Sequence, residues 1–430
     1  MMAVQTVLHP DTLLLEALQQ QQPVFYGLAF RMMGHAAEAE DVLQEAYLRA
    51  WRNRNSLRDS AHFQGWLRQI VVRECLRALR WRSMRRWLPW VLIVVVALVL
   101  PAVLPPFRLN LLGRFLALGI VALGIDLIWG YTGLLSLGQG IFFALGGYAL
   151  GMYLQLDSLE PGQLPEFFSL YGVKSLPAFW QPFNSPLFTV FAIWVIPALV
   201  AGLLGYLVFR NRIKGVYFSI LTQAALLVFF NFFNGQQKLI NGTNGLKTDT
   251  AMIFGQMVGS DGIQRLLFWL TVLLAIGAFL LCRWLTSGRF GDALVAIRDD
   301  EPRLRFTGYN PTAYKTVVFA VAGALAGISG ALYTVQSGIV SPQYMAVPFS
   351  IEMVIWVAVG GRGTLIGPIA GAFLVNGAKS WFTMAFPEFW LYFLGALFIA
   401  VTLFLPGGIV GLVRDPRSVL DNLRKFRKGG

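Results

Sequence analysis

The sequence predicts an all-α protein: a polytopic transmembrane helical bundle of about ten spans, with a small soluble helical domain at its N-terminal end. Three observations carry this. The 430 residues are 56% hydrophobic and only 13% charged, with a mean hydropathy of +0.60. A soluble globular chain is about 45–50% apolar and about 25% charged. The hydrophobicity is also uneven: residues 1–86 hold 12 Arg and 8 acidic residues among short apolar runs, and the composition changes sharply near Ser83–Trp87. Beyond that point, apolar stretches recur at lengths near the roughly 20 residues that cross a hydrocarbon core of about 30 Å. The expected organisation is a helical segment over 1–83, a transmembrane domain over 84–413 and a basic tail over 414–430.

The expected spans lie near 87–104, 108–128, 133–154, 185–209, 216–233, 263–284, 314–336, 349–360, 364–384 and 389–411. The eighth is too short to cross unless tilted or re-entrant. Lysine and arginine in short loops mark the cytoplasmic side. Alternation from a cytoplasmic start puts Arg210, Arg212 and Lys214 on that side, together with Arg289–Lys315 and the tail from Arg414 to Lys428. The loops at 155–184 and 234–262, poor in basic residues, fall outside. Both termini are therefore expected in the cytoplasm of a cell whose inner membrane the chain crosses many times.

Several chemistries are excluded at this level. Cys75 and Cys282 stand alone, so neither a disulfide framework nor a zinc ribbon is expected. All three histidines (His9, His35, His62) precede the apolar region, and no metal site or catalytic residue is expected. The start has no apolar core after a basic end, so no signal peptide is expected. No G-x-x-x-x-G-K-[ST] phosphate cradle occurs. The chain is thus expected to need no cofactor of its own, and ATP, if used, must be bound by a partner.

Polar residues inside apolar spans are the candidate pathway. Gly133-Leu-Leu-Ser-Leu-Gly-Gln-Gly140 sets Ser136 and Gln139 among glycines, the pattern of a broken or closely packed helix. Asp126 and Glu352 are carboxylates within expected spans, where a charge costs at least about 2.5 kcal/mol. Either could instead be structural near a helix end. Asn241, Thr243 and Asn244, in an external loop of turn formers, offer amide and hydroxyl groups to a small polar solute. Gly147/Gly151, Gly323/Gly327 and Gly367/Gly371, each four apart, read as ordinary close helix packing.

Between two spans, residues 286–313 predict a short amphipathic helix from Asp292 to about Asp300, with Ala293, Ala296 and Ile297 on one face. Pro302 is expected to stop it. Such a helix on the cytoplasmic side suits docking into a groove on a partner.

Four stretches then resemble the M-type permease of the branched-chain amino acid/urea ABC importer family. They are Leu123–Tyr148, with its Gly-Leu-Leu-Ser-Leu-Gly-Gln-Gly core, Gly242-Thr-Asn-Gly-Leu246, Ala296-Ile-Arg-Asp-Asp-Glu-Pro302 and Gly360-Gly-Arg-Gly-Thr-Leu-Ile-Gly-Pro368. They occur in family order between about Met84 and Val413. Within the family the chain looks most like the urea permease, on Asp126 in place of the more usual asparagine and on the Phe229–Leu246 stretch with Gln236-Gln237. The resemblance implies a second homologous permease, two ATPase subunits that bind ATP, and a periplasmic substrate-binding protein. It also implies that Arg289–Tyr309 couples to the ATPase, through Arg289, Gly291, Ala296, Ile297, Arg298, Asp299 and Glu301. The branched-chain amino acid branch is the alternative, and an ATP-independent channel a further one.

The first 83 residues resemble region 2 of an extracytoplasmic-function sigma factor, over Tyr26–Trp51 and Phe63-Gln-Gly-Trp-Leu-Arg-Gln-Ile-Val-Val72. Val42, Leu43, Ala46 and Tyr47 recur at helical spacing, opposite acidic Glu38, Glu40, Asp41 and Glu45. A final helix over about 61–82 carries Arg68, Arg73, Arg77, Arg80 and Arg82 with Trp66 and Trp81. Arginines with interleaved aromatics can meet DNA phosphates and unstacked bases; Trp66, Arg68, Arg73, Arg77 and Arg80 are the candidate contacts. In that family the acidic helix meets RNA polymerase. The departure around Arg73-Glu-Cys75 and the missing region 4 favour a sigma fragment joined in frame to a permease, by gene fusion or by an assembly or start-site artefact. A membrane-tethered transcription regulator is the alternative from another class.

Overall fold

The computed structural model describes residues 10–53, 63–160, 163–213, 215–253, 255–405 and 407–414. The side chains of 10–21, 63, 80–98, 387, 391, 404 and 414 lie outside that description. Two compact units divide at Val99 and Leu100.

The first unit contains α1 (Pro10–Met33) and α2 (Ala36–Arg52), with the start of α3 (Phe63–Val103). Gly34, at φ 78°, ends α1 in the left-handed conformation that a Cβ disfavours. Apolar residues three and four apart on α2 (Ala39, Val42, Leu43, Ala46, Ala50) close a core with Phe25, Ala29 and Met33 of α1 and Leu67, Val71 and Cys75 of α3. Glu40, Asp41 and Glu45 stay exposed. The helix expected over 61–82 and the span expected over 87–104 form a single helix. The expected domain boundary at 83/84 therefore falls inside α3. No glycine or proline stands between Arg73 and Leu88, so the compositional change carries no backbone break.

The second unit is built around α12 (Pro311–Ser337), which packs against α4 (Pro106–Thr132), α5 (Gln139–Asp157) and α7 (Pro186–Arg210). With no hydrophobic force between helices in lipid, small residues decide which backbones meet. Gly330 faces the Phe143 carbonyl of α5, Gly146 faces Gly327, and Gly323 lies against Ala201 and the Pro197 carbonyl of α7. The Ser329 hydroxyl donates to the Ala117 carbonyl of α4 at 2.6 Å. The expected packing role of Gly323/Gly327 and Gly367/Gly371 agrees with these contacts, as Gly367 and Gly371 press on Gly360 and Trp356.

α8 (Val216–Gly235) and α10 (Asp261–Thr286) complete the long spans. By length and composition, α4, α7, α8, α10 and α12 can each cross a membrane. Few residues of α7 and α8 are buried, and Leu187, Trp194, Val216 and Val228 among others are exposed, as faces toward lipid would be. The remaining expected crossings fall on α3, α5, α13 (Val347–Gly360), α14 (Ile366–Ala385), and α15 (Trp390–Phe404) with α16 (Gly408–Arg414). Two expectations are corrected. The span expected over 133–154 begins only at Gln139, and that over 389–411 is two helices, since Pro406-Gly407-Gly408 cannot continue a helical ladder.

The ends of α12 mark the two ends of this bundle. At Ser337, β4 (Ile339–Val340) pairs antiparallel with β1 (Leu246–Lys247), closing the loop that follows α9 (Gln237–Ile240). A second short pair, β2 (Met252–Ile253) with β3 (Gln256–Met257), lies in the same loop. At Pro311, α11 (Arg289–Phe306) packs on α4, α10 and α12. A small helix, α6 (Glu166–Leu170), lies between α5 and α7.

Candidate functional site

The expected break after α4 is present. Gly133, at φ 73°, caps α4, and residues 134–138 run without regular structure before α5 starts. Their backbone groups find partners on α8: the Ser219 hydroxyl donates to the Leu135 carbonyl at 2.7 Å, and the Leu137 N–H donates to Thr222 Oγ1 at 3.1 Å. Ser136, 2% exposed, accepts from the Gly138 N–H through Oγ. The break thus stays hydrogen-bonded away from water, which an interrupted helix at membrane depth requires.

A second helix also starts inside the bundle. After the β4 strand the chain turns through Pro342–Met345, and α13 begins at Val347. The first turns of α5 and α13 meet. A Cβ on Gly140 would stand 2.5 Å from the Tyr344 carbonyl and 2.9 Å from Ser350 Oγ. Phe143, one turn beyond Gln139, packs against Tyr333, Tyr344 and Phe349 at ring separations of 5.3–5.6 Å. Phe349 in turn packs edge-on to Trp356. Both amide atoms of Gln139, Ser350 Oγ and Trp356 Nε1 are buried with no hydrogen-bond partner among the described residues.

The other expected pathway residues fall elsewhere. Asp126 is fully buried near the α11 end, and its carboxylate accepts from the N–H groups of Gly363 (2.6 Å) and Leu365 (3.1 Å). It thereby holds the turn between α13 and α14, where Leu365 takes φ 58°. Arg362 in that turn stacks over Trp129 at 4.8 Å. Glu352, on α13, accepts twice from Lys379 of α14, at 2.7 and 3.0 Å. Asn241, Thr243 and Asn244 sit at the β1–β4 end, where Asn241 (φ 58°) donates to the Gly245 carbonyl and Thr243 accepts from Gln237. Ser136 and Gln139 thus share the break before α5, and the other expected pathway residues lie outside it. Ser350, Trp356 and Lys379 went unnoticed in the sequence; Lys379, a cation inside an expected span, carried the one available signal.

α11 departs from expectation in two ways: it starts at Arg289, and its buried stripe is Gly291, Ala293, Leu294, Ile297 and Glu301 with Ala296 only half-buried. The first segment breaks at Asp300, the expected end, two residues before Pro302. Asp300 leaves helical geometry and caps a second segment by accepting from the Arg303 N–H at 3.1 Å. Pro302 falls in that segment's first turn, where a missing N–H costs nothing. Two anchors hold the helix down. Arg298 donates to the Gly130 carbonyl at 3.0 Å, one turn from Asp126. Glu301 pairs with Arg305 at 2.7 Å and with the buried Lys315 of α12 at 3.2 Å. Facing away are a groove lined by Ala296, Asp299, Asp300, Arg303, Leu304 and Thr307, and the almost fully exposed Phe306. Arg289 and Asp299 are exposed as well.

In the first unit, Arg68, Arg73 and Arg77 are exposed, and the Arg80 side chain lies outside the described residues. Trp66 is half-buried against the unit's core, which limits the ring face it can offer a base. Buried Glu74 pairs with Arg49 of α2 and, at 3.8 Å, with Arg77. Burial pushes the Cys75 thiol pKa upward. Among the described residues no cluster of His, Cys, Asp and Glu could hold a metal.

Residues 107–402 match the family described as branched-chain amino acid transport system / permease component. Over 325 residues the chain is 26% identical to the high-affinity branched-chain amino acid transport system permease protein LivM of Escherichia coli, covering 70% of this chain and 69% of that one. It is 22% identical over 314 residues to the corresponding protein BraD of Pseudomonas aeruginosa, covering 68% and 91%. Residues 18–85 match sigma-70 region 2. There the chain is 40% identical over 60 residues to the ECF RNA polymerase sigma factor SigG of Mycobacterium tuberculosis, covering 14% of this chain and 16% of that one. No solved structure matches the chain.

Proposed function

Because the chain belongs to the branched-chain amino acid transport permease family, we propose that it is the permease through which an ABC importer carries branched-chain amino acids across the inner membrane. The observation that carries this reading is α11. Its inner stripe is locked to α4 and α12 by Arg298 and Glu301, while its outer side presents a groove and the bare Phe306. A helix fixed to the spans on one side and open on the other can pass a push from a partner ATPase into the bundle. Partner subunits bind and hydrolyse ATP, a second homologous permease completes the path, and a periplasmic protein delivers the substrate. The α11 end and both termini face the cytoplasm, in keeping with the basic residues clustered there.

The substrate class follows the relatives, since LivM and BraD are both named for branched-chain amino acids. Asp126 and Gln236-Gln237 resemble the urea branch, but urea is in the name of neither relative. The test is uptake of labelled leucine against labelled urea, in cells lacking their own importers and supplied with the neighbouring transport genes. Leucine uptake that stops on ATP depletion is expected. Urea uptake alone would move the assignment to the urea branch, and uptake that survives ATP depletion would indicate a channel.

A further inference from the structure

We propose that the facing N-termini of α5 and α13, with Gln139 and Ser350 between them, form the subsite that holds the α-carboxylate of the transported amino acid. The inference rests on the amino-acid reading above and adds the place where the substrate's charge is met.

Both helices begin within the bundle, and neither start is capped by a side chain. The first turn of a helix presents N–H groups without intrahelical partners and about half a positive charge. A helix start inside a membrane protein is therefore suited to an anionic group, without the cost of burying a cation. Two such starts meet across Gly140, whose missing side chain leaves Ser350 Oγ close to the first turn of α5.

The side chains supply a second, independent observation. Ser350 is 2% exposed, its hydroxyl faces the start of α5, and it has no partner among the described residues. Gln139 is 1% exposed and is unpartnered at both amide atoms. A buried amide with neither bond made is costly, so a core position alone gives no reason for it. A carboxylate accepting from Ser350 Oγ and Gln139 Nε2 would satisfy both, and Gln139 Oε1 remains to accept from the substrate's ammonium. The rings of Phe143 and Phe349 beside these groups provide an apolar wall for an aliphatic side chain.

Gln139→Leu and Ser350→Ala separate this role from a structural one. Each removes a polar group that bonds nothing among the described residues, so a structural role predicts unchanged uptake. The variants are made in the full chain, within the assembled importer. Melting temperature of the purified complex and leucine uptake per unit of membrane-inserted protein are measured together. The expected result is a melting temperature equal to or above that of the parent, with uptake reduced at least about tenfold in each. Parental uptake in both variants would overturn the subsite. If Gln139→Leu fails to assemble, Ser350→Ala decides alone. Leucine uptake by the parent chain tests the amino-acid reading separately. A parent that carries urea and not leucine, yet loses it in these variants, would keep the site and overturn its assignment to a carboxylate.

Discussion

The Asp126 carboxylate is held in place by two backbone N–H groups, those of Gly363 and Leu365. Its removal is felt through those donors. Asp126→Ala leaves the Gly363 and Leu365 N–H groups without their acceptor and is expected to cost about 1–3 kcal/mol, read as a lower melting temperature in detergent. Asp126→Asn keeps one acceptor and should lie between that variant and the parent. Equal melting of all three would show that the turn does not depend on the carboxylate. Glu352 is held differently, by Lys379, whose ammonium also lies 5.9 Å from the Trp390 ring centre. Lys379→Met strands a buried carboxylate, so it should destabilise more than the double change with Glu352→Gln. A double variant no more stable than the single one would refute the pairing as the reason for Glu352's burial.

The apolar stripe of α11 sets which face turns inward, and two polar ties fix it there. Arg298 and Glu301 supply those ties, and their partners are a backbone carbonyl on α4 and a buried lysine on α12. Arg298→Ala is expected to leave membrane levels near those of the parent while reducing ATP-driven leucine uptake several-fold, since the tie to α4 is lost and the spans themselves are untouched. Unaltered uptake would mean that this tie carries no coupling. The short helices α5 and α13 make the complementary case. Each is too short or too polar to be the single clean span that hydropathy describes, and each is held by contacts with other elements: Thr222 and Ser219 for the approach to α5, the β1–β4 pair for the approach to α13.

At the scale of the whole molecule, two sequences of different ancestry lie in one chain, matching sigma-70 region 2 over 18–85 and the permease family over 107–402. The first unit has its own core and a buried ion pair between Arg49 and Glu74. A chain started at Met84 is expected to support leucine uptake equal to that of the full chain. A large loss on truncation would show that the first unit serves transport, and binding of core RNA polymerase by the full-length protein would support the regulator alternative. Legible in the chain alone were the helical class, the long spans, the break before Gln139 and an amphipathic helix over Asp292 to about Asp300. Each of these is written in local periodicity, in runs of apolar residues, or in glycine and proline. The sequence did not determine the continuity of α3, because a change in composition is not a change in backbone preference. Nor did it determine that Asp126 binds a turn more than 230 residues away, that Ser350 faces the start of α5, or that Lys379 neutralises Glu352. Those were decided by tertiary structure alone, since a hydrogen bond between distant segments depends on how helices pack and leaves no spacing in the chain to read.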